Sequence, residues 1–233
     1  MKALRTKICT YAIALLASIG FATSTLAGSS DFSGIWIAGH VEMNVVAIPG
    51  THTAGGGGSD SSGGTENVEV TNGTIGALTP TAGYELGFNL PLGDQFFVTV
   101  GYADGGGSSA QIAKADDAVG VADVTVHASS PEWFYIAPSI SIFDNSAVYV
   151  KLGHARAELE AIGDVTGTPG GIDGKLVGIG TTSIANNGLF IKTEAGAVQY
   201  DQFKIVGIGG SSTAIVEGDP LVGYGHVSIG YKF

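Results

Sequence analysis

The sequence predicts an all-β chain, an eight-stranded antiparallel up-and-down barrel that crosses a membrane. Three observations predict it. Glycine accounts for 38 of 233 residues, more than twice the usual share of about 7%, and each glycine costs a helix about 1 kcal/mol relative to alanine. Several segments alternate apolar and polar residues with period two, the mark of a strand with one greasy and one wet face. No stretch beyond residue 27 supplies the uncharged apolar run of a spanning helix, so a membrane crossing requires a closed barrel, the other structure that satisfies its backbone in lipid.

Residues 1–27 read as a secretory signal peptide. Lys2, Arg5 and Lys7 precede an apolar run over 8–21, and Thr25-Leu26-Ala27 forms a small-x-small cleavage site. The apolar run is shorter than the roughly 20 residues of a spanning helix. Cys9 is the only cysteine and falls inside this segment, so residues 28–233, the expected barrel, hold no disulfide. The net charge is −11; without the three basic residues of the signal, 7 basic residues face 21 acidic ones, or −14. Such acidity excludes nucleic acid as a partner, because phosphate binding needs clustered Lys and Arg.

The first strand is expected at 32–48, with Ile35, Ile37, Val41, Met43 and Val45 on one face and Trp36, Ala38, His40, Glu42 and Asn44 on the other. Residues 54–65, rich in glycine and serine, read as a loop. Strands at 82–90 and 96–102 flank a tight turn at 91–94, and a long polar stretch over 104–130 follows. A pair at 133–142 and 148–159 is joined through 143–146, and 163–173 is a loop. Asn187-Gly188 is a hairpin signal between strands at 174–184 and 189–203. Residues 205–220 are expected to hold a last loop before the closing strand. There Val227, Ile229, Tyr231 and Phe233 alternate with His226, Ser228, Gly230 and Lys232. Short turns at one end and long loops at the other are the asymmetry of bacterial outer-membrane barrels. The aromatic residues gather near the two ends of the predicted strands, as two interfacial girdles would require.

The ending at Ile229, Tyr231 and Phe233 resembles the C-terminal signal that the outer-membrane barrel insertion machinery reads. Tyr149-Val150-Lys151-Leu152-Gly153, the Asn187-Gly188 hairpin running into Ile191-Lys192-Thr193-Glu194, and Gly230-Tyr231-Lys232-Phe233 together resemble the OmpA-like and opacity-protein-like family of small, porin-like outer-membrane barrels. The resemblance implies export through the periplasm to the outer membrane of a Gram-negative cell envelope, a monomer, and outer-membrane lipid and lipopolysaccharide as surroundings. Its implied role is structural and interactive, through long acidic glycine-rich loops outside the cell. The alternative is a narrow porin-like channel for small solutes or ions.

Alternation places His40, Glu42, Glu85, Thr99, Lys151, Lys192, Glu194 and His226 toward the lumen. Lys151 and Lys192 are expected to pair with Glu42, Glu85 and Glu194, because an unpaired charge in a narrow lumen is costly. His226, Ser228 and Glu42 could in principle form a nucleophile, base and orienter, but lumen-facing polar residues are expected anyway, and no enzyme is predicted. No cofactor is implied. His52 and His127 stand alone, and no cysteine or close histidine spacing suggests a metal site; loop carboxylates such as Asp116, Asp117, Asp123 and Asp164 read as solvated.

Overall fold

The computed structural model describes residues 28–55, 67–107, 109–115, 124–143, 145–163, 165, 170–209 and 212–233. The expected signal peptide, most of the loop at 54–65, and Asp116, Asp117, Asp123 and Asp164 lie outside them. A short helix α1 (Ser29–Phe32) leads into eleven strands: β1 (Gly34–Gly55), β2 (Asn67–Pro91), β3 (Phe96–Asp104), β4 (Ala110–Ala115), β5 (Val124–Phe143), β6 (Ser146–Gly163), β7 (Gly170–Ile184), β8 (Leu189–Tyr200), β9 (Phe203–Gly209), β10 (Ser212–Gly218) and β11 (Leu221–Lys232).

Eight of these are staves of one closed antiparallel barrel. Neighbours run β1-β2-β3-β5-β6-β7-β8-β11, and β11 returns to β1 in unbroken register from Trp36 opposite Lys232 to Ala47 opposite Leu221. Closure leaves no unpaired edge, the condition for strands in lipid. The turns between staves are short at one end. Gly93 and Gly188 occupy them at φ of +100° and +88°, a left-handed region that costs glycine nothing and other residues strain.

At the opposite end the strands exceed the sequence expectation. β1 runs for 22 residues and β2 for 25, and β5 and β6 for 20 and 18. The stretch expected to be a loop over 205–220 is instead largely the β9-β10 hairpin, and β10 pairs with Gly50 to Ala54 of β1. Likewise β4 pairs with the start of β5 inside the stretch read as polar loop. Both ribbons alternate too weakly among their glycines and alanines for period two to reveal them.

Outward side chains form an apolar belt to which every stave contributes, among them Ile37 and Met43 of β1, Leu86 of β2, Val100 of β3, Ile136 of β5, Leu152 of β6, Ile179 of β7, Ile191 of β8 and Ile229 of β11, all exposed. Soluble monomers rarely expose apolar patches beyond a few hundred Å². A continuous ring of this kind belongs against lipid chains.

The aromatic residues do not form two outward girdles. Phe88, Phe96, Phe143, Tyr231 and Phe233 expose their rings near the short turns, and Tyr84 and Phe134 do so toward the other end, with Tyr102 packed 4.9 Å from Phe134. Phe32, Phe97, Tyr149, Phe190, Trp133, Tyr135, Tyr200, Phe203 and Tyr224 turn inward and are buried. Height along a strand follows from distance to the turn, but face follows from parity, and parity sends the rings carried by the staves into the lumen.

Inward rings need room, and glycines directly across the sheet supply it. Trp36 faces Gly87, Tyr135 faces Gly101, Tyr149 faces Gly180, Phe190 faces Gly230 and Tyr224 faces Gly196. A Cβ on Gly87 would lie 2.5 Å from the Trp36 ring, and one on Gly101, Gly180, Gly196 or Gly230 would meet the ring opposite it as closely.

A charged layer inside the barrel as candidate functional site

The lumen is filled in three layers. Near the short turns, Phe32 stacks on Phe97 at 5.0 Å and Trp36 meets Phe190 edge-on at 5.5 Å. Asn89 ties these together, accepting from Trp36 Nε1 at 3.0 Å and from Thr99 Oγ1 at 2.7 Å while donating to the Phe32 carbonyl at 2.8 Å. At the long-strand end, Trp133, Tyr200, Phe203, Ile205, Val198, Leu159 and Ile172 form an apolar cluster. Between them lies a layer of charge.

Every member of that layer is buried: His40, Glu42, Glu85, Lys151, Lys192, Glu194, His226 and Ser228, with Glu85 and Lys151 at 0% exposure. The strands deliver them in register. Glu42 faces His226 and His40 faces Ser228 across the β1-β11 seam; Glu194 faces His226 and Lys192 faces Ser228 across β8-β11.

Two ion pairs anchor it. Lys151 Nζ lies 2.9 Å from Glu194 Oε1, and that carboxylate also accepts from Tyr149 OH at 2.8 Å and Tyr224 OH at 2.7 Å. Lys192 Nζ lies 2.5 Å from Glu85 Oε2, which also accepts from Tyr135 OH at 3.0 Å. Aromatic faces complete the solvation of both ammoniums: Lys151 sits 4.1 Å from the Tyr135 centroid and Lys192 4.6 Å from that of Trp36, within cation–π range. Buried ions of this kind persist only when their remaining donors and acceptors are satisfied.

The expected pairing of a lysine with Glu42 does not occur. Glu42 Oε2 lies 3.6 Å from His226 Nδ1 instead, because β1 and β11 are direct neighbours, whereas Lys151 stands on β6 across the lumen and Lys192, on β8, is held by Glu85. His226 Nε2 lies 2.5 Å from Glu85 Oε1 and 2.6 Å from Ser228 Oγ, whose hydroxyl donates to the same Glu85 oxygen at 2.7 Å. His226, Ser228 and Glu42 therefore do meet. Ser228 is 1% exposed and its proton is committed to Glu85, so the three act as part of the layer and present no nucleophile to a substrate. His40 has its ring 4.5 Å from that of His226, and its Nδ1 lies 3.9 Å from Glu85 Oε1. Both ring nitrogens of His40 and both carboxylate oxygens of Glu42 are buried without a hydrogen-bond partner among the described residues.

Small cavities lie on either side. One of about 30 Å³, bordered by Trp36, Asn89, Tyr135, Tyr149 and Lys192, is on the short-turn side; one of about 70 Å³, bordered by Asn44, Trp133, Leu159, Tyr200 and Val222, is on the other. Of the histidines left standing alone in the sequence, His127 approaches Ser109 Oγ at 3.2 Å outside the lumen, and the His52 side chain lies outside the described residues. Ile229, Tyr231 and Phe233 point outward into the belt, Tyr231 edge-on to Phe233 at 5.2 Å.

The fold and its apolar belt define the chain as a small, closed, eight-stranded transmembrane β-barrel. Solved outer-membrane proteins share this fold. The outer membrane protein AlkL, determined in lipid bilayers, superposes with a TM-score of 0.51 at 15% identity, over 92% of this chain and 95% of that one. The outer membrane protein OprG from Pseudomonas aeruginosa superposes with a TM-score of 0.50 at 14% identity, over 86% and 96%. No family model matches the sequence, nor does any curated protein.

Proposed function

We propose that this protein is a monomeric, sealed barrel of the bacterial outer membrane that works outside the bilayer, through the strands that continue beyond its belt. The observation that carries the reading is the charged layer. With Glu85 and Lys151 fully buried and each bonded to its counter-ion, passage of a solute would require breaking ion pairs in a poorly hydrated space, which costs several kcal/mol per ion.

The long strands support the same reading. A tilted strand crosses the hydrocarbon with about 9–11 residues, and β1, with 22, has about twice that. The surplus raises a ribbon of paired strands over the long-loop end, carrying exposed Glu158, Glu160 and Asp173. Short turns face the periplasm in barrels of this class, so the ribbon and its acidic loops face the medium. Lipopolysaccharide and outer-membrane lipid surround the belt, and the insertion machinery reads Ile229, Tyr231 and Phe233. No enzymatic activity is assigned.

The test is single-channel recording of residues 28–233 in planar bilayers. A sealed barrel gives a flat baseline, and Lys151→Ala or Glu85→Ala introduces leak. Stepwise conductance in the unmodified protein that these substitutions alter would establish instead a narrow channel for small solutes or ions.

A further inference from the structure

The buried charges of the lumen do not balance. Among the described residues three carboxylates, Glu42, Glu85 and Glu194, face two ammoniums, Lys151 and Lys192, and the imbalance lies on the side of the layer where His40, Glu42 and His226 gather. There His40 and Glu42, each 4% exposed, bring four polar atoms without a hydrogen-bond partner among the described residues. Leaving such groups unmade costs about 1–3 kcal/mol each. Buried polar groups gathered at one spot call for a partner, an ordered water or an ion.

We infer that His40, Glu85 and His226 form a buried site for a divalent transition-metal ion, with Glu42 as the residue that orients it. One donor atom from each of the three lies within 4.8 Å of the others. Donors held 2.0–2.2 Å from zinc in a tetrahedral site stand about 3.4 Å apart, and the observed separations of 2.5 Å for His226 to Glu85 and 3.9 Å for His40 to Glu85 bracket that value. Two imidazoles and one carboxylate are borderline donors that suit zinc and its neighbours rather than calcium or magnesium. Glu42 stands 3.6 Å from His226 Nδ1, on the ring nitrogen opposite the one aimed at Glu85. It is therefore placed to take the Nδ1–H and fix the tautomer, as carboxylates behind metal-bound histidines do. A divalent ion carrying one hydroxide in its fourth position brings the layer to neutrality. The site does not depend on whether the lumen conducts.

Because the layer is sealed, the ion enters during folding. The experiment refolds residues 28–233 into detergent with Zn²⁺ or with EDTA, removes free metal by desalting, and measures zinc per chain. His40→Gln and Glu42→Gln variants are treated alongside, each checked for folding by the gel shift between unboiled and boiled samples. The His40 side chain makes no hydrogen bond among the described residues, so its variant is expected to close, which the gel shift checks. The expected result is one zinc per chain in the unmodified protein, its loss in His40→Gln, and an affinity weakened about 10–100-fold in Glu42→Gln. Cobalt in place of zinc gives a tetrahedral visible spectrum that His40→Gln abolishes. Zinc retained equally by a folded His40→Gln overturns the proposal as surface binding. No retained zinc in the folded unmodified protein overturns it as well, leaving a proton on His226 to supply the missing charge.

Discussion

Lys151 shows what a single side chain does in a lumen this narrow. It holds one carboxylate, and the rings of Tyr135 and Trp133 cover its remaining surface. Replacing it with methionine keeps the volume and strands Glu194 as a buried charge. Lys151→Met is expected to destabilise the barrel by about 3–5 kcal/mol, and Lys151→Met with Glu194→Gln to recover much of that, both read from urea unfolding in detergent. Gly101 makes the complementary case. Its Cβ would enter the Tyr135 ring, so Gly101→Val costs about 1–3 kcal/mol through overpacking, and adding Tyr135→Leu returns part of the loss in the same assay. The abundance of glycine is visible in the sequence. Its reason is not, because each ring and its glycine are cross-strand neighbours 28 to 51 positions apart and no local pattern connects them. The same holds for Glu42, whose partner is decided by the seam and not by charge.

Among the elements, strand length sets where the membrane ends. Ile136 and Ile162 point outward from adjacent staves and are equally exposed, at 50% and 51%, but Ile136 pairs near the middle of β5 and Ile162 at the far end of β6, opposite Thr125. Ile136→Arg is expected to lower stability in lipid vesicles by about 2–4 kcal/mol and Ile162→Arg by about 0–1 kcal/mol, as measured by tryptophan fluorescence during denaturant unfolding. Equal penalties would mean that the ribbon is also embedded. The staves and short turns were legible because alternation and turn chemistry are local signals: Asn187-Gly188 announces its hairpin, and Gly93 sits in the turn read at 91–94. The β9-β10 hairpin was not, since its support comes from the upper half of β1, some 160 residues away in the chain. The facing of β7 was likewise hidden by its small residues. Its neighbours settle it, turning Leu176, Gly178, Gly180 and Ile184 inward.

For the whole molecule, closure is the property to test directly. Residues 28–233 refolded into detergent should run at a different mobility unboiled than boiled, with a strand-rich circular dichroism spectrum; identical mobilities and folding in plain buffer would contradict the membrane barrel. Fold class and the charged residues of the lumen could be read from alternation, whereas the inward aromatic rings and the contacts among His40, Glu42 and His226 could not, because those contacts are set only where the first stave meets the last. That seam also sets the order of events in time. Trp36 and Lys232 are paired across nearly the full chain, and contacts so distant make for slow folding because their loop-closure entropy comes due before any reward. The centre of the lumen is therefore finished last. Until β11 arrives, its acids and imidazoles stand open to water and to whatever ions the compartment holds, and afterwards the contents are locked in: the barrel keeps a record of the solution in which it folded.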